Sequence, residues 1–139
     1  MAQPVPADNA VGRSLELYEE RHGDPTPAIY RRLYAAHPDA EEIFAGDTYI
    51  PKRMMAGIFE IVIDLADHTI DPAFTASWVP DHIAAEVTRP MIATMFDCVV
   101  DEIREGLGAD WDDAMAADWD RVMATWKPVV WDKFDELGE

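Results

Sequence analysis

Between Tyr49 and Asp67 the stretch YIPKRMMAGIFEIVIDLAD sets Ile50, Met54, Ile58, Ile61 and Leu65 three or four residues apart, which is the period of a helix. A second apolar row, Met55, Phe59 and Val62, lies beside the first. A helix apolar over so much of its circumference must be covered by other elements along most of its length. The chain has 139 residues, 49% of them apolar, which is enough for one sizeable core and too little for two. A single domain over residues 1–139 is expected, with residues 1–8 as a flexible N-terminal flag.

The remaining segments read as further helices. Asp8 or Asn9 can cap a first helix whose Val11, Leu15 and Tyr18 share one stripe, and Gly23 ends it. Asp24 before Pro25, or Thr26 before Pro27, places a cap residue ahead of a proline in a first helical turn, where the missing N–H costs nothing. That second helix carries Ile29, Tyr30, Leu33 and Tyr34. Pro38 restarts the chain as a short helix closed by Ile43 and Phe44, and Asp47 or Thr48 can cap the long helix that follows. The segment from Ala73 to Glu86 is expected to be a short helical region interrupted at Pro80. Pro90 opens a long helix to Leu107 bearing Ile92, Phe96, Val99 and Ile103. Asp110 is the expected cap of the last helix, which carries Met115, Trp119, Val122, Met123, Trp126 and Val130. It should bend at Pro128, at a cost of about 3 kcal/mol if nothing compensates. The count is about seven helical segments, and their unequal lengths exclude a simple four-helix bundle.

Twenty-eight acidic residues against 11 basic ones give a net charge of −17, spread along the chain. Such a surface repels nucleic acid and anionic membrane, so neither is expected as a partner. No window reaches 18 apolar residues and the N-terminus lacks the pattern of a signal peptide, so a cytoplasmic location is expected. The single cysteine, Cys98, excludes an intrachain disulfide and a cysteine-rich zinc cluster. Four histidines stand at 22, 37, 68 and 82, and no two have the i, i+4 spacing that would put two ligands on one helical face. One histidine can still be a functional ligand where the metal brings its own equatorial ligands, as haem iron does. His82, in SWVPDHIAAEV ahead of a long apolar helix, is the candidate; an ordinary surface or hydrogen-bonded histidine is the bland alternative.

IYRRLYAAHPDAEEIF, residues 29–44, resembles the second and third helices of bacterial globins, both single-domain haemoglobins and the haem domains of flavohaemoglobins. There an aromatic-rich YxxLFxxHPExxxLF ends in the phenylalanine that packs on haem. The resemblance extends to Pro51-Lys52 at the start of the distal helix, to His82 and Val87 against the proximal HxxxGV, and to EIREGLG at 102–108. Trp119 falls where the family has a tryptophan in its last helix. The match spans about residues 20–130 and implies an all-α, globin-like fold around a haem b pocket.

Residue by residue, the resemblance makes His82 the axial metal ligand, its other ring nitrogen donating to a backbone carbonyl such as that of Trp78. Phe44 would wedge against the porphyrin, and Tyr30 would donate a hydrogen bond to bound O2. Either Ile50 or Met54 is the distal residue, and both are apolar. Ile58, Trp78, Ile92 and Phe96 complete the expected walls, and Arg89, with Lys52 and Arg53, is the cation expected to meet the propionates. Ile92 and Phe134 stand where flavohaemoglobins have the tyrosine and glutamate that polarise the proximal histidine, which disfavours peroxidase-like chemistry. Glu86 replaces the usual glycine, and Pro80 puts the contact to Trp78 in question.

The resemblance therefore implies a globin that reversibly binds a diatomic gas, O2, NO or CO, for storage, delivery, sensing or NO scavenging. Any NO dioxygenase activity would need an external reductase, and a Met54 thioether could be a sixth iron ligand. A haem-free globin-like signalling or interaction module is the alternative, its pocket filled by Met54, Met95 and tryptophan side chains or by a lipid-like ligand. A third class is an acidic helical adaptor, and exposed aromatic rows could form a homodimer face.

Overall fold

The first helix, α1 (Ala10–His22), starts where Asn9 accepts from the Gly12 N–H at 2.8 Å while its own amide donates to the Ile63 carbonyl at 3.2 Å. One side chain thus caps a helix and ties it to the long helix expected at residues 49–67. The computed structural model describes residues 9–139, and the expected flag at residues 1–8 lies outside them. Helix α2 (Thr26–Ala36) follows a turn in which Asp24 Oδ1 accepts from both the N–H and the hydroxyl of Thr26. Helices α3 (Pro38–Phe44) and α4 (Tyr49–Asp67) come next, α4 opening on Asp47, which accepts from the Tyr49 and Ile50 N–H groups.

A 3-10 turn (Pro72–Phe74) leads to the six-residue α5 (Val79–Ala84). Pro80 does not interrupt a helix, as the sequence suggested: it occupies the first turn of α5, where no intrahelical bond from its nitrogen is needed. Helix α6 (Arg89–Leu107) is capped by Thr88, and α7 (Asp113–Glu136) runs on through Pro128. Asp110 is not the cap of α7. Asp112 accepts from the Met115 N–H at 2.8 Å, while Asp110 belongs to a second 3-10 turn and pairs with Arg21.

Seven α-helices and no strand occur among the described residues, so the chain is all-α. Helix α2 packs along α6, and α1 lies against α6 and α7. The indole of Trp119 donates to Ser14 Oγ at 2.8 Å, and Ser14 in turn donates to the Val11 carbonyl, which joins α7 to α1 inside the core. A polar network also ties α1, α2 and α6 together, beside the apolar core. The Tyr18 hydroxyl donates to Glu102 at 2.7 Å, and Arg32 donates to Glu102 at 2.9 Å and to Glu105. Burial pushes the Glu102 carboxyl up, but the hydrogen bonds from Tyr18 and Arg32 outweigh it and hold it below its ordinary range. Gly106 completes this corner, because a Cβ there would lie 2.3 Å from the Tyr18 ring.

Helices α4 and α6 each rest on α1, α2 and α7 and make no comparable contact with one another. The opening between them is the site. No helix among the described residues is long and apolar enough to cross a membrane.

Candidate functional site

The two apolar rows of α4 do not separate cleanly in the folded chain: Leu65 of the first row is buried and Phe59 of the second is half-buried. Met55, Val62 and Leu65 are buried, whereas Met54, Ile58 and Ile61 are only half-buried, because they face a cavity of about 330 Å³. Opposite them stand Ile92, Met95 and Phe96 of α6, with Tyr30 and Leu33 of α2 and Trp126 of α7 at the inner end. A second cavity of about 340 Å³ adjoins the first toward solvent, lined by Asp47, Ile50, Asp81 and Ala85. Ile43, Phe44, Met54, His82 and Val87 line both, so the two spaces adjoin along a shared wall and together make up the slot. Each lies at the lower end of the usual size for small-molecule sites, and the pair is well within that range.

The slot is apolar except at a few points. His82, near the middle of α5, turns Nδ1 toward the Trp78 carbonyl at 2.8 Å. A carbonyl oxygen can only accept, so in the neutral ring the proton sits on Nδ1 and the Nε2 lone pair is free. Nε2 makes no hydrogen bond among the described residues. The Trp78 ring meets the imidazole edge-on at 4.9 Å between centroids, which fixes the ring plane. At the inner end Tyr30 is buried, and its hydroxyl likewise has no hydrogen-bond partner among the described residues. Burial pushes its pKa well above the ordinary phenol value, with Tyr34 adding to the shift, so Tyr30 stays a neutral donor. Phe44 lies edge-on to Tyr30 at 5.8 Å and closes the wall on that side.

The anchor of His82 is itself held. Trp78 donates its indole N–H to the Thr75 carbonyl at 2.7 Å, and Trp126 donates to the same oxygen at 2.8 Å. Both lone pairs of one buried carbonyl are thereby occupied, and Thr75 in turn donates its hydroxyl to the Pro72 carbonyl.

Of the residues singled out from sequence, His82, Phe44, Tyr30, Met54, Ile58, Trp78, Ile92 and Phe96 line the inner cavity together. Ile50 lines only the outer one and is 41% exposed. Arg89 lines neither: it pairs with Asp135 at 2.8 Å and lies over the Trp131 ring, a long-range pairing that nothing in the local sequence marks. Lys52 is exposed and 3.9 Å from Asp24, and Arg53 makes no ion pair among the described residues. Val87, paired with His82 in the sequence pattern, lines both cavities, whereas Thr75, Trp126, Met91 and Gly57 belong to the site without having been expected there. Trp126 lay on a recognisable apolar stripe, whereas Thr75 carries no sequence signal. Glu86 adopts φ +70°, the left-handed conformation that glycine takes without cost.

A flat, apolar, metal-centred group is consistent with these walls on two counts: His82, whose Nε2 makes no hydrogen bond among the described residues, and Tyr30, whose hydroxyl makes none, both line the same apolar slot. Among the described residues no group of three or more His, Cys, Asp or Glu side chains could hold a metal ion. No family model matches the chain, and no curated protein matches it.

Proposed function

We propose that the chain is a globin-like haem protein whose slot takes haem b and a diatomic gas. The observation that carries this reading is that half-buried Met54, Ile58 and Ile61 face a slot that no side chain among the described residues fills, with His82, whose Nε2 has no hydrogen-bond partner among them, on its wall. Apolar surface held open in this way asks for an apolar occupant. When bound, haem would supply an iron centre able to take a gas molecule. His82 would hold that iron through Nε2, with Nδ1–H fixed on the Trp78 carbonyl. Tyr30 would donate its hydroxyl to a gas ligand that carries partial negative charge, as O2 does, and would favour CO much less. The apolar walls would keep water and ions from the same space. Ile92 and Phe134 accept no proton, and Nδ1 faces a carbonyl instead of a carboxylate, which fits reversible gas binding better than peroxide cleavage.

The test is an absorption spectrum of purified protein, as isolated and after hemin addition, in ferric, dithionite-reduced and CO-bound forms, with His82→Ala alongside. A stoichiometric Soret band that shifts with CO and collapses in the mutant supports the reading. No hemin uptake by the wild-type chain refutes it.

A second reading, a haem-free module that holds an uncharged apolar ligand, is favoured by one observation. The mouth carries Asp47 and Asp81, and of the three cations expected to meet propionates Arg89 pairs with Asp135 and Lys52 lies 3.9 Å from Asp24, which leaves Arg53 as the one without an ion pair among the described residues. Displacement of an uncharged apolar fluorophore from a chain that ignores hemin would select it.

A further inference from the structure

We infer that Trp126, on the last helix, is a positioning residue for His82, acting through the Thr75 carbonyl and Trp78. The inference rests on the reading of His82 as the residue that presents its Nε2 to the slot's ligand.

The path is continuous and short. The Trp126 indole N–H donates to Thr75 O at 2.8 Å, the Trp78 indole N–H donates to the same oxygen at 2.7 Å, and the Trp78 carbonyl receives both the His82 main-chain N–H at 3.3 Å and Nδ1 at 2.8 Å. The rings are also in contact: Trp78 lies edge-on to His82 at 4.9 Å and to Trp126 at 6.3 Å between centroids. Helix α5 has only six residues, too few to hold a side chain rigidly by its own hydrogen bonds. What fixes it is Trp126, which is 1% exposed and sits on a 24-residue helix. Because the Thr75 carbonyl has two lone pairs and both are taken by indoles, loss of either donor leaves the other free to swing with its carbonyl partner. A looser Trp78 carbonyl releases Nδ1, and the ring can then turn or change tautomer, which takes the free lone pair away from the slot.

A merely structural tryptophan would not behave in this way, and the chain provides the comparison. Trp119, on the same helix and equally buried, donates its indole N–H to Ser14 Oγ at 2.8 Å, away from the slot. Replacing either tryptophan by phenylalanine removes one buried hydrogen bond and little ring volume, so both variants should lose comparable stability.

The experiment compares wild type, Trp126→Phe, Trp78→Phe and Trp119→Phe by two readouts. In the haem-free chain, nitrogen-resolved NMR follows solvent exchange of the His82 Nδ1 proton. In the hemin-loaded, dithionite-reduced chain, resonance Raman follows the iron–histidine stretching band. Trp126→Phe and Trp78→Phe are expected to speed exchange about fivefold, the worth of one net hydrogen bond, and to shift or broaden the iron–histidine band. Trp119→Phe should leave both as in wild type. Equal behaviour of Trp126→Phe and Trp119→Phe in both readouts overturns the inference. If Trp126→Phe does not fold, Trp78→Phe decides: its half-buried side chain lies outside the fully buried core, and wild-type exchange in that variant overturns the path equally. A wild-type chain that takes up no hemin refutes the haem reading alone, because the exchange comparison stands without the cofactor.

Discussion

Gly57 offers the sharpest test of the slot. It lies in the middle of α4, between Met54 and Ile58 on the cavity wall, and its φ is not in the left-handed region. A Cβ built there meets nothing within 4 Å. Glycine inside a helix costs about 1 kcal/mol relative to alanine, through backbone entropy and lost side-chain cover, and nothing in the packing of the protein requires it here. Gly57→Ala should therefore raise the unfolding free energy of the haem-free chain by about 1 kcal/mol. With an unfolding entropy near 2.1 cal/mol/K per residue, the melting temperature of a domain this size rises by about 3 °C. The added methyl points into the slot, so the ligand should feel the opposite sign. Gly57→Leu, which pushes a branched chain into the same space, should weaken hemin uptake about tenfold or more, by the usual cost of overpacking. Thermal melts by circular dichroism and hemin titrations followed at the Soret band read the two effects separately. A Gly57→Ala chain that is less stable than wild type would refute the geometry. A Gly57→Leu chain that takes up hemin as tightly as wild type, with an unchanged spectrum, would refute the assignment of this wall to the cofactor.

Three further outcomes can be measured. Tyr30→Phe removes a hydroxyl with no partner among the described residues, so haem-free stability should hold or rise by up to about 1 kcal/mol, while O2 dissociation from the loaded protein speeds about tenfold and CO dissociation changes less than about twofold by flash photolysis. Glu86→Gly should stabilise the chain by roughly 1 kcal/mol in urea melts, since glycine adopts the φ +70° found there without the clash a Cβ brings. Glu102 is held below its ordinary carboxylate range despite its burial. Its contribution is therefore present above the unfolded value of about 4.3 and is lost as pH falls through the lower folded value, so the stability advantage of wild type over Glu102→Gln should disappear at acid pH and be full at neutral pH.

Much of the architecture can be read from residue spacing, because helix period and proline position are local signals. Pro27, Pro38 and Pro90 each lie in a first helical turn, as their placement suggests. Pro80 was read as a break for want of one fact: how many residues of helix precede it. A proline with a single helical residue before it opens a helix, and with a full turn before it disrupts one. The cap of α7 moved from Asp110 to Asp112 because both are good caps and the choice is made by a 3-10 turn that no periodicity reveals. The slot is harder still to read. Met54, Ile58 and Ile61 are as apolar as Met55, Val62 and Leu65, Leu65 even shares their row, and composition alone does not separate a side chain that packs from one that lines a space. Arg89 illustrates the same limit for charge: Asp135 is 46 residues away along the chain. His82 could be singled out only by elimination and resemblance, and Thr75, which anchors it through a main-chain oxygen, has no side-chain signature to find.

The slot between α4 and α6 also bears on the lifetime of the protein. Interior surface that the chain's own side chains leave uncovered lowers the stability of the empty fold, and an occupant that binds only the folded chain restores it by mass action. At a free concentration one hundred times its dissociation constant, such an occupant adds about 2.7 kcal/mol, a large share of what keeps a small domain folded. Supply of the occupant would then set how many copies escape proteolysis, so that the amount of this protein in a cell would follow the pool of the molecule it holds.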